Sequence, residues 1–110
     1  MPSQEKRKEQ RLNFKAIATC RIDDKIFKAF VWDISSKGLK IELSKKPQKN
    51  ALIQIILEID PPLKLLGKIR WYEKKGLSYI CGVQFYNLNE KQSAKLNELT
   101  QELFWENFGG

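Results

Sequence analysis

The sequence has no histidine and only two cysteines among its 110 residues. Histidine is the commonest general base of enzymes and the commonest metal ligand of proteins. Its absence excludes Ser-His and Cys-His nucleophiles and argues against a zinc site. We therefore expect a binding protein, with no enzymatic activity, no metal and no cofactor.

The sequence also lacks a long apolar run, since none approaches the roughly 20 residues of a membrane span. Residues 1–11 are highly charged and have no apolar stretch of the kind a signal peptide needs. We expect a cytoplasmic protein that does not insert into a membrane. Cys20 and Cys81 lie among alternating apolar residues, which predicts reduced thiols in the core and no disulfide.

The composition of the sequence indicates one small globular domain. Hydrophobic residues make up 42% and charged residues 30%, an ordinary balance for a folded chain of this length. The net charge of +7 favours an anionic partner, such as a nucleotide, a nucleic acid or an acidic protein, without choosing among them. Lysines are spread along most of the chain, which also suits a plain solvated surface.

Residues 12–110 show the pattern of six short strands followed by one helix. Apolar and polar residues alternate in six segments, which are 14–22, 26–32, 39–44, 51–59, 63–73 and 78–86. Asn89 is a suitable N-cap, and leucines recur with helical spacing over residues 90–107. This order predicts a mainly β fold, a closed or nearly closed six-stranded antiparallel barrel whose C-terminal helix covers an open part of it.

Two short motifs flank the first predicted hairpin. Residues 7–11 read RKEQR, an RxxxR, and residues 33–38 read DISSKG, a DxSxxG. Each is weak alone, because two arginines four apart arise easily in a charged tail and Asp, Ser and Gly favour plain turns. Together, in this order and 22 residues apart, they are much more specific.

This pair of motifs resembles the PilZ domain family. Residues 67–71 (GKIRW) and 82–85 (GVQF) resemble the family as well, so the likeness covers about residues 6 to 105. It implies a PilZ-like barrel over residues 12–110, a flexible basic arm over residues 1–11, and binding of cyclic di-GMP. The ligand residues that it implies are Arg7, Arg11, Asp33, Ser35 and Gly38.

The chemistry of these residue types suits cyclic di-GMP, which presents two phosphates and two guanine edges. The planar fork of Arg7 or Arg11 matches a phosphate or the O6/N7 edge of guanine. The carboxylate of Asp33 can accept from the guanine N1 and N2 donors, and Ser35 can bond to a base or a phosphate. Gly38 has no side chain, so a ligand can approach the backbone closely.

Two lysines are additional candidates. Lys40 alternates with the apolar residues of its strand, so it is expected to face outward, where it either meets a phosphate or is solvated. Lys6 precedes the first arginine. In PilZ proteins that position is thought to influence whether one ligand or a stacked pair is bound, and a basic residue there favours the pair.

The aromatic residues divide into two groups. Four on the strands are expected in the barrel core: Phe30, Trp32, Trp71 and Phe85. Three others near the end of the helix either complete the packing or form a docking surface: Phe104, Trp105 and Phe108.

We therefore predict a cyclic di-GMP receptor that changes the pose of its arm on binding and signals to a partner protein that the sequence does not identify. One alternative is a basic β-barrel that binds nucleic acid, motivated by the net charge of +7. Another is a PilZ-like scaffold that binds no ligand, against which the intact five-residue signature argues.

Overall fold

The computed structural model describes residues 10–109. Residues 1–9 of the predicted arm, which include Lys6 and Arg7, therefore lie outside the described residues, and only Gln10 and Arg11 of the arm are described. The elements are β1 Leu12–Ile22, β2 Lys25–Ile34, β3 Gly38–Leu43, β4 Leu52–Leu57, β5 Leu63–Lys75, β6 Ser78–Phe85 and α1 Glu90–Phe104, followed by a π-helical turn at Trp105–Gly109. The predicted order of six strands and one helix is confirmed.

The six strands form a closed antiparallel barrel in the order β1-β2-β3-β6-β5-β4. The connection between β3 and β4 crosses to the far side of the sheet, where β4 pairs with both β1 and β5. Because β4 completes the ring, these strands leave no unpaired sheet edge. The prediction of a closed barrel is therefore confirmed.

The inward-facing side chains of the strands fill the barrel. Along β1, Leu12, Phe14, Ala18 and Cys20 are buried, as the period of two requires. Cys20 and Cys81 are both fully buried free thiols, as predicted. Burial raises the pKa of each thiol to about 12, and the charge of Cys81 adds to the effect on Cys20.

Helix α1 covers one end of the barrel. It begins with a capping box, in which Asn89 Oδ1 accepts from the backbone N–H of Gln92 at 2.7 Å and Gln92 Oε1 accepts from that of Asn89 at 2.9 Å. Leu96 and Leu103 are buried in the same core as the strand residues. The helix packs against β1 and β5, so its apolar face closes this end.

In the part of the chain that the structure describes, no helix is long and apolar enough to cross a membrane. The same residues contain no group of three or more His, Cys, Asp or Glu side chains arranged to hold a metal ion.

Three register shifts interrupt the strand pairing of the described residues. They lie at residues 13–16 of β1, 31–33 of β2 and 69–71 of β5. Each inserts one extra residue into its strand. In β2 and β5 the opposite set of side chains faces the core beyond the bulge, whereas in β1 the buried residues keep their period of two across it.

The prediction that the strand aromatics fill the core is wrong for three of the four, because only Phe85 packs against it. Phe30 is 61% exposed and Trp71 is 43% exposed, whereas Phe85 packs against the core and Trp32 is half-buried on the outer face. Regular alternation in β2 turns Phe30 outward. The bulge in β5 exposes Trp71, and Tyr72 packs against the core in its place.

Candidate functional site

One row of residues crosses the barrel wall and organises the site. Cross-strand pairing joins the row from residue to residue: Asn13 with Asp33, Asp33 with Lys40, Lys40 with Gly82, and Gly82 with Trp71. All three bulges adjoin these positions. We call these five residues the site row.

The bulge in β2 turns Asp33 outward. Val31 and Ile34 are both buried although they are three residues apart, whereas strict alternation would have buried Asp33. Asp33 and Ile34 belong to β2 and Gly38 begins β3, so the connection between these strands is residues 35–37. The predicted loop from Asp33 to Gly38 is therefore corrected to this shorter one.

The carboxylate of Asp33 lies between two cations. Nε of Arg11 donates to Oδ1 at 2.7 Å, and Nζ of Lys40 lies 3.5 Å from Oδ2. The Asp33 side chain is 14% exposed, so the carboxylate keeps only a small accessible edge. Lys40 faces outward, as its alternation predicted.

Ser35 braces the short connection between β2 and β3. It is fully buried, and its Oγ accepts from the backbone N–H groups of Lys37 at 3.1 Å and Gly38 at 3.2 Å. Nη1 of Arg11 lies 3.5 Å from the same oxygen. Ser35 therefore fixes the loop backbone and holds one end of the Arg11 guanidinium.

Gly38 lies at a close approach of β3 to β6. A Cβ atom at this position would be 2.1 Å from the carbonyl oxygen of Val83. The backbone N–H of Phe85 also donates to the carbonyl of Lys37 at 2.8 Å, which holds the two strands together here. Strand packing thus requires glycine, a reason that the sequence alone did not indicate.

The indole of Trp71 lies against the backbone of Gly82. A Cβ atom at Gly82 would be 2.1 Å from Nε1 of Trp71, so only glycine admits the ring at this place. Because Trp71 remains 43% exposed, the ring offers a large aromatic surface in the site row, where only Gly82 separates it from Lys40.

A cleft of about 390 Å³ runs along the site row. Its walls come from β3, β5, β6 and the residue before β1, and they consist of Arg11, Lys37, Gly38, Leu39, Lys40, Arg70, Trp71, Gly82, Val83 and Gln84. Four of these side chains are cations and none is a carboxylate. Such a surface suits an anion that also carries a flat aromatic group.

The structure brings together five of the seven predicted ligand residues, which are Arg11, Asp33, Ser35, Gly38 and Lys40. The other two, Arg7 and Lys6, lie outside the described residues.

Sequence reasoning did not single out Arg70 or Trp71, although both line the cleft. They belong to residues 67–71, which supported the family resemblance, and Trp71 was expected in the core. Regular alternation along β5 already turns Arg70 outward, but the exposure of Trp71 depends on the bulge at residues 69–71, for which hydrophobic alternation carries no signal.

The fold and the cleft together define a small β-barrel domain with a cationic cleft on its wall. Residues 5–102 match the family described as PilZ domain. The chain therefore belongs to the PilZ domain family. No match was found among curated proteins.

Several solved structures share this fold at low sequence identity. The PilZ domain with c-di-GMP of YcgR from Escherichia coli superposes with a TM-score of 0.76 at 13% identity, covering 90% of this chain and 92% of that one. The MrkH–c-di-GMP complex from K. pneumonia gives 0.77 at 12% identity, covering 90% of this chain and 52% of MrkH, so this chain spans about half of that protein. The PilZ domain of CeSA from a cellulose synthesizing bacterium gives 0.66 at 16% identity, covering 89% and 98%.

Proposed function

We propose that this chain is a receptor domain for cyclic di-GMP that acts by binding and not by catalysis. The observation that carries the proposal is the placement of the Asp33 carboxylate beside a cleft lined by four cations. A ligand with both phosphates and guanine donor edges satisfies both signs of charge, whereas a simple anion satisfies one. YcgR and MrkH, two proteins of similar structure, are described with c-di-GMP, which supports the same ligand here.

Each side chain of the site has a role that follows from its contacts. Arg11 carries five N–H donors, so it can keep Nε on Asp33 and offer its remaining donors to a phosphate. Lys40 and Arg70 supply further positive charge within the cleft. Asp33 accepts from the N1 and N2 donors of one guanine, and the exposed ring of Trp71 stacks against a base.

Ser35 and Gly38 act through the loop backbone in this proposal. Ser35 is fully buried and already accepts two backbone hydrogen bonds. Gly38 permits the close approach of β3 and β6 that holds the loop in place. Both residues therefore support ligand binding by fixing the position of Arg11 and of the connection between β2 and β3.

The size of the cleft favours a compact ligand. Its volume of about 390 Å³ falls in the range of roughly 300–1,000 Å³ typical of small-molecule sites. A nucleic acid would instead need a groove that tracks several nucleotides along its backbone.

We propose further that the ligand sets the pose of residues 1–11 and that a partner protein responds to this change. Arg11 ends this segment and is tied to Asp33, and Arg7 lies four residues earlier. After Met1 the segment has no large apolar side chain before Leu12. Contacts of the two arginines with the ligand must therefore offset an ordering cost of about 1–2 kcal/mol per residue. Lys6, next to Arg7, then favours a stacked pair of ligands.

Calorimetric titration of the full chain with cyclic di-GMP tests the receptor proposal, with GTP and single-stranded DNA as controls. We expect selective binding of micromolar affinity, which corresponds to about −8 kcal/mol. If millimolar cyclic di-GMP produces neither heat nor a thermal shift, the chain is not a receptor for it. Equal binding of single-stranded DNA would favour a nucleic-acid-binding barrel instead.

The role of the arm is tested separately. We expect hydrogen exchange of residues 5–11 to slow when cyclic di-GMP is added, and Arg7→Ala to weaken binding by about 1.5–3 kcal/mol, the scale of a hydrogen bond to a charged group. Exchange rates that do not change on ligand addition would contradict the role of the arm and leave the receptor proposal intact.

A further inference from the structure

The end of the barrel opposite α1 is formed by three exposed connections between strands, two of which are rich in lysine. Residues 23–25 comprise the turn from β1 to β2 with the first residue of β2, residues 44–50 lie between β3 and β4, and residues 74–78 comprise the tip of the β5–β6 hairpin with its flanking strand residues. In an antiparallel barrel these three connections lie at the same end, and we call them the basic end. They contain six lysines and two carboxylates: Lys25, Lys45, Lys46, Lys49, Lys74 and Lys75, against Asp23 and Asp24.

The lysines of the basic end are not neutralised by nearby carboxylates. Within residues 10–109, none of the six forms an ion pair with a carboxylate. Two of them lie near aromatic rings instead, with Nζ of Lys46 5.9 Å from the ring centroid of Tyr72 and Nζ of Lys75 5.0 Å from that of Trp32. The basic end therefore presents concentrated positive charge to an approaching surface.

Two large apolar side chains protrude from the same end. Leu77, at the tip of the β5–β6 hairpin, is 94% exposed, and Ile26, at the start of β2, is 70% exposed. Gly76 has a φ of 62°, which closes a tight turn and leaves Leu77 at its tip. Neither apolar side chain contributes to the barrel core, so the fold does not account for them.

We propose that the basic end docks on a lipid surface that carries anionic headgroups. The lysines face the headgroup phosphates, and Leu77 enters the interface between headgroups and acyl chains. Charge alone would also suit a nucleic acid or an acidic protein. The exposed leucine favours lipid, because an apolar tip gains by entering a lipid interface and finds no apolar partner on a phosphate backbone.

This contact is peripheral and separate from the cleft of the site row. The cleft is lined by Arg11, which precedes β1, by Gly38 at the start of β3, and by Trp71, which lies three residues before Lys74 on β5. Docking through the hairpin tips therefore leaves the ligand site open to solvent. The inference does not depend on the identity of the ligand.

Sedimentation of the full chain with vesicles tests the proposal. We expect pelleting with vesicles that contain phosphatidylglycerol, loss of pelleting as salt is raised, and none with pure phosphatidylcholine. Leu77→Ser should lower partitioning by about tenfold, and K74E/K75E by roughly a hundredfold. K91E/K95E makes the same change of charge on exposed positions of α1 and should pellet like the wild type.

Four outcomes would overturn the proposal. The first is that the protein does not pellet with vesicles that contain phosphatidylglycerol, and the second is that Leu77→Ser pellets as well as the wild type. The third is that K91E/K95E loses as much pelleting as K74E/K75E. The fourth is that the protein binds short duplex DNA as tightly as the vesicles and that Leu77→Ser does not weaken this binding. Because Lys75 contacts Trp32, K45E/K46E repeats the test without disturbing that ring. Asp33→Ala should pellet like the wild type, which separates this surface from the ligand site.

Discussion

The half of the barrel around the site row is irregular, whereas the half that leads to the basic end is regular. Bulges adjoin the site row in β1, β2 and β5. Toward the basic end, β1 and β2 pair without a shift from Ala16 to Ile22, and β3 and β6 pair without a shift throughout. The irregular half carries the cleft, because an unbroken strand would have turned Asp33 and Trp71 toward the core.

The two halves also differ in how their charges are arranged. In the site row, Asp33 is held between Arg11 and Lys40, so opposite charges fix one another. At the basic end, the lysines are exposed and form no ion pair with a carboxylate among residues 10–109. The first arrangement suits one ligand of defined shape, and the second suits an extended anionic surface.

The largest expected difference between the halves concerns their glycines. Gly38→Ala should destabilise the protein by about 3 kcal/mol, because the new Cβ meets the backbone oxygen of Val83 at 2.1 Å and the strands must separate. Gly76→Ala at the basic end meets no atom within 4 Å and should cost only about 1 kcal/mol, from its positive φ. Urea unfolding measures both, and equal costs would contradict the tight packing at Gly38.

Two arginine variants, one in each half of the barrel, should differ in their affinity for cyclic di-GMP. Arg11→Ala should weaken cyclic di-GMP binding by about 1.5–3 kcal/mol, since a charged donor beside the cleft is lost. Its stability should fall by about 1 kcal/mol or less, because Lys40 still faces Asp33. Arg21→Ala, which removes the same charge near the basic end, should bind like the wild type in the same calorimetric titration. Matching affinities of the two variants would remove Arg11 from the site.

Tryptophan variants test whether the bulge in β5 creates a stacking surface. Trp71→Ala should weaken cyclic di-GMP binding by about 1–3 kcal/mol through the loss of base stacking. Trp105→Ala removes an indole that is also exposed but follows α1 and does not line the cleft, and it should leave the affinity unchanged. Quenching of tryptophan fluorescence by the ligand should disappear only in the first variant. Quenching that persists there would show that another tryptophan reports the ligand.

The buried thiols make the regular half sensitive to high pH. The pKa of Cys20 and of Cys81 is raised from 9.0 to about 12 by burial, so the unfolded chain loses these protons first. Their contribution to stability is fully present below about pH 9 and is lost as the pH rises toward about 12. Urea midpoints should fall more steeply with pH in the wild type than in C20A/C81A, and parallel slopes would refute this.

The smallest effect is expected on the outer face of the regular ladder. Hydrogen bonds from Lys28 and Thr19 hold the pKa of Glu58 below its usual range. Lys28→Ala should raise that pKa toward the ordinary value, as an NMR titration would show. Any stability from this contact is present at pH values above the pKa of Glu58 in the unfolded chain. It is lost as the pH falls through the lower pKa of Glu58 in the folded protein. The group is exposed, so the change in unfolding free energy should be small.

Local patterns were enough to predict the elements of the fold. Alternating apolar residues identified each strand, and Asn89 with Gln92 identified the start of the helix, where both hydrogen bonds of the capping box are present. These features depend on neighbours in the chain, so a short window of sequence contains the information.

The site was only partly predictable, because its geometry depends on pairing between distant strands. The DxSxxG motif located Asp33, Ser35 and Gly38, but not the bulge that aims Asp33 or the carbonyl of Val83 that requires Gly38. The large aromatic side chains of the strands were expected in the barrel core because they are large and apolar. Phe30 and Trp71 are outside because register and bulges decide which face a residue takes.

The sequence by itself determined the order of six strands and a helix, the lack of histidine chemistry and the paired motifs that indicate the family. Only the tertiary structure decided that Asn13, Asp33, Lys40, Gly82 and Trp71 form one row, and that Arg11 bonds to Asp33. The physical reason is that a motif is a property of adjacent residues. A binding surface on a barrel wall is set by cross-strand register, and one inserted residue in β2 or β5 turns the side chains beyond it to the other face.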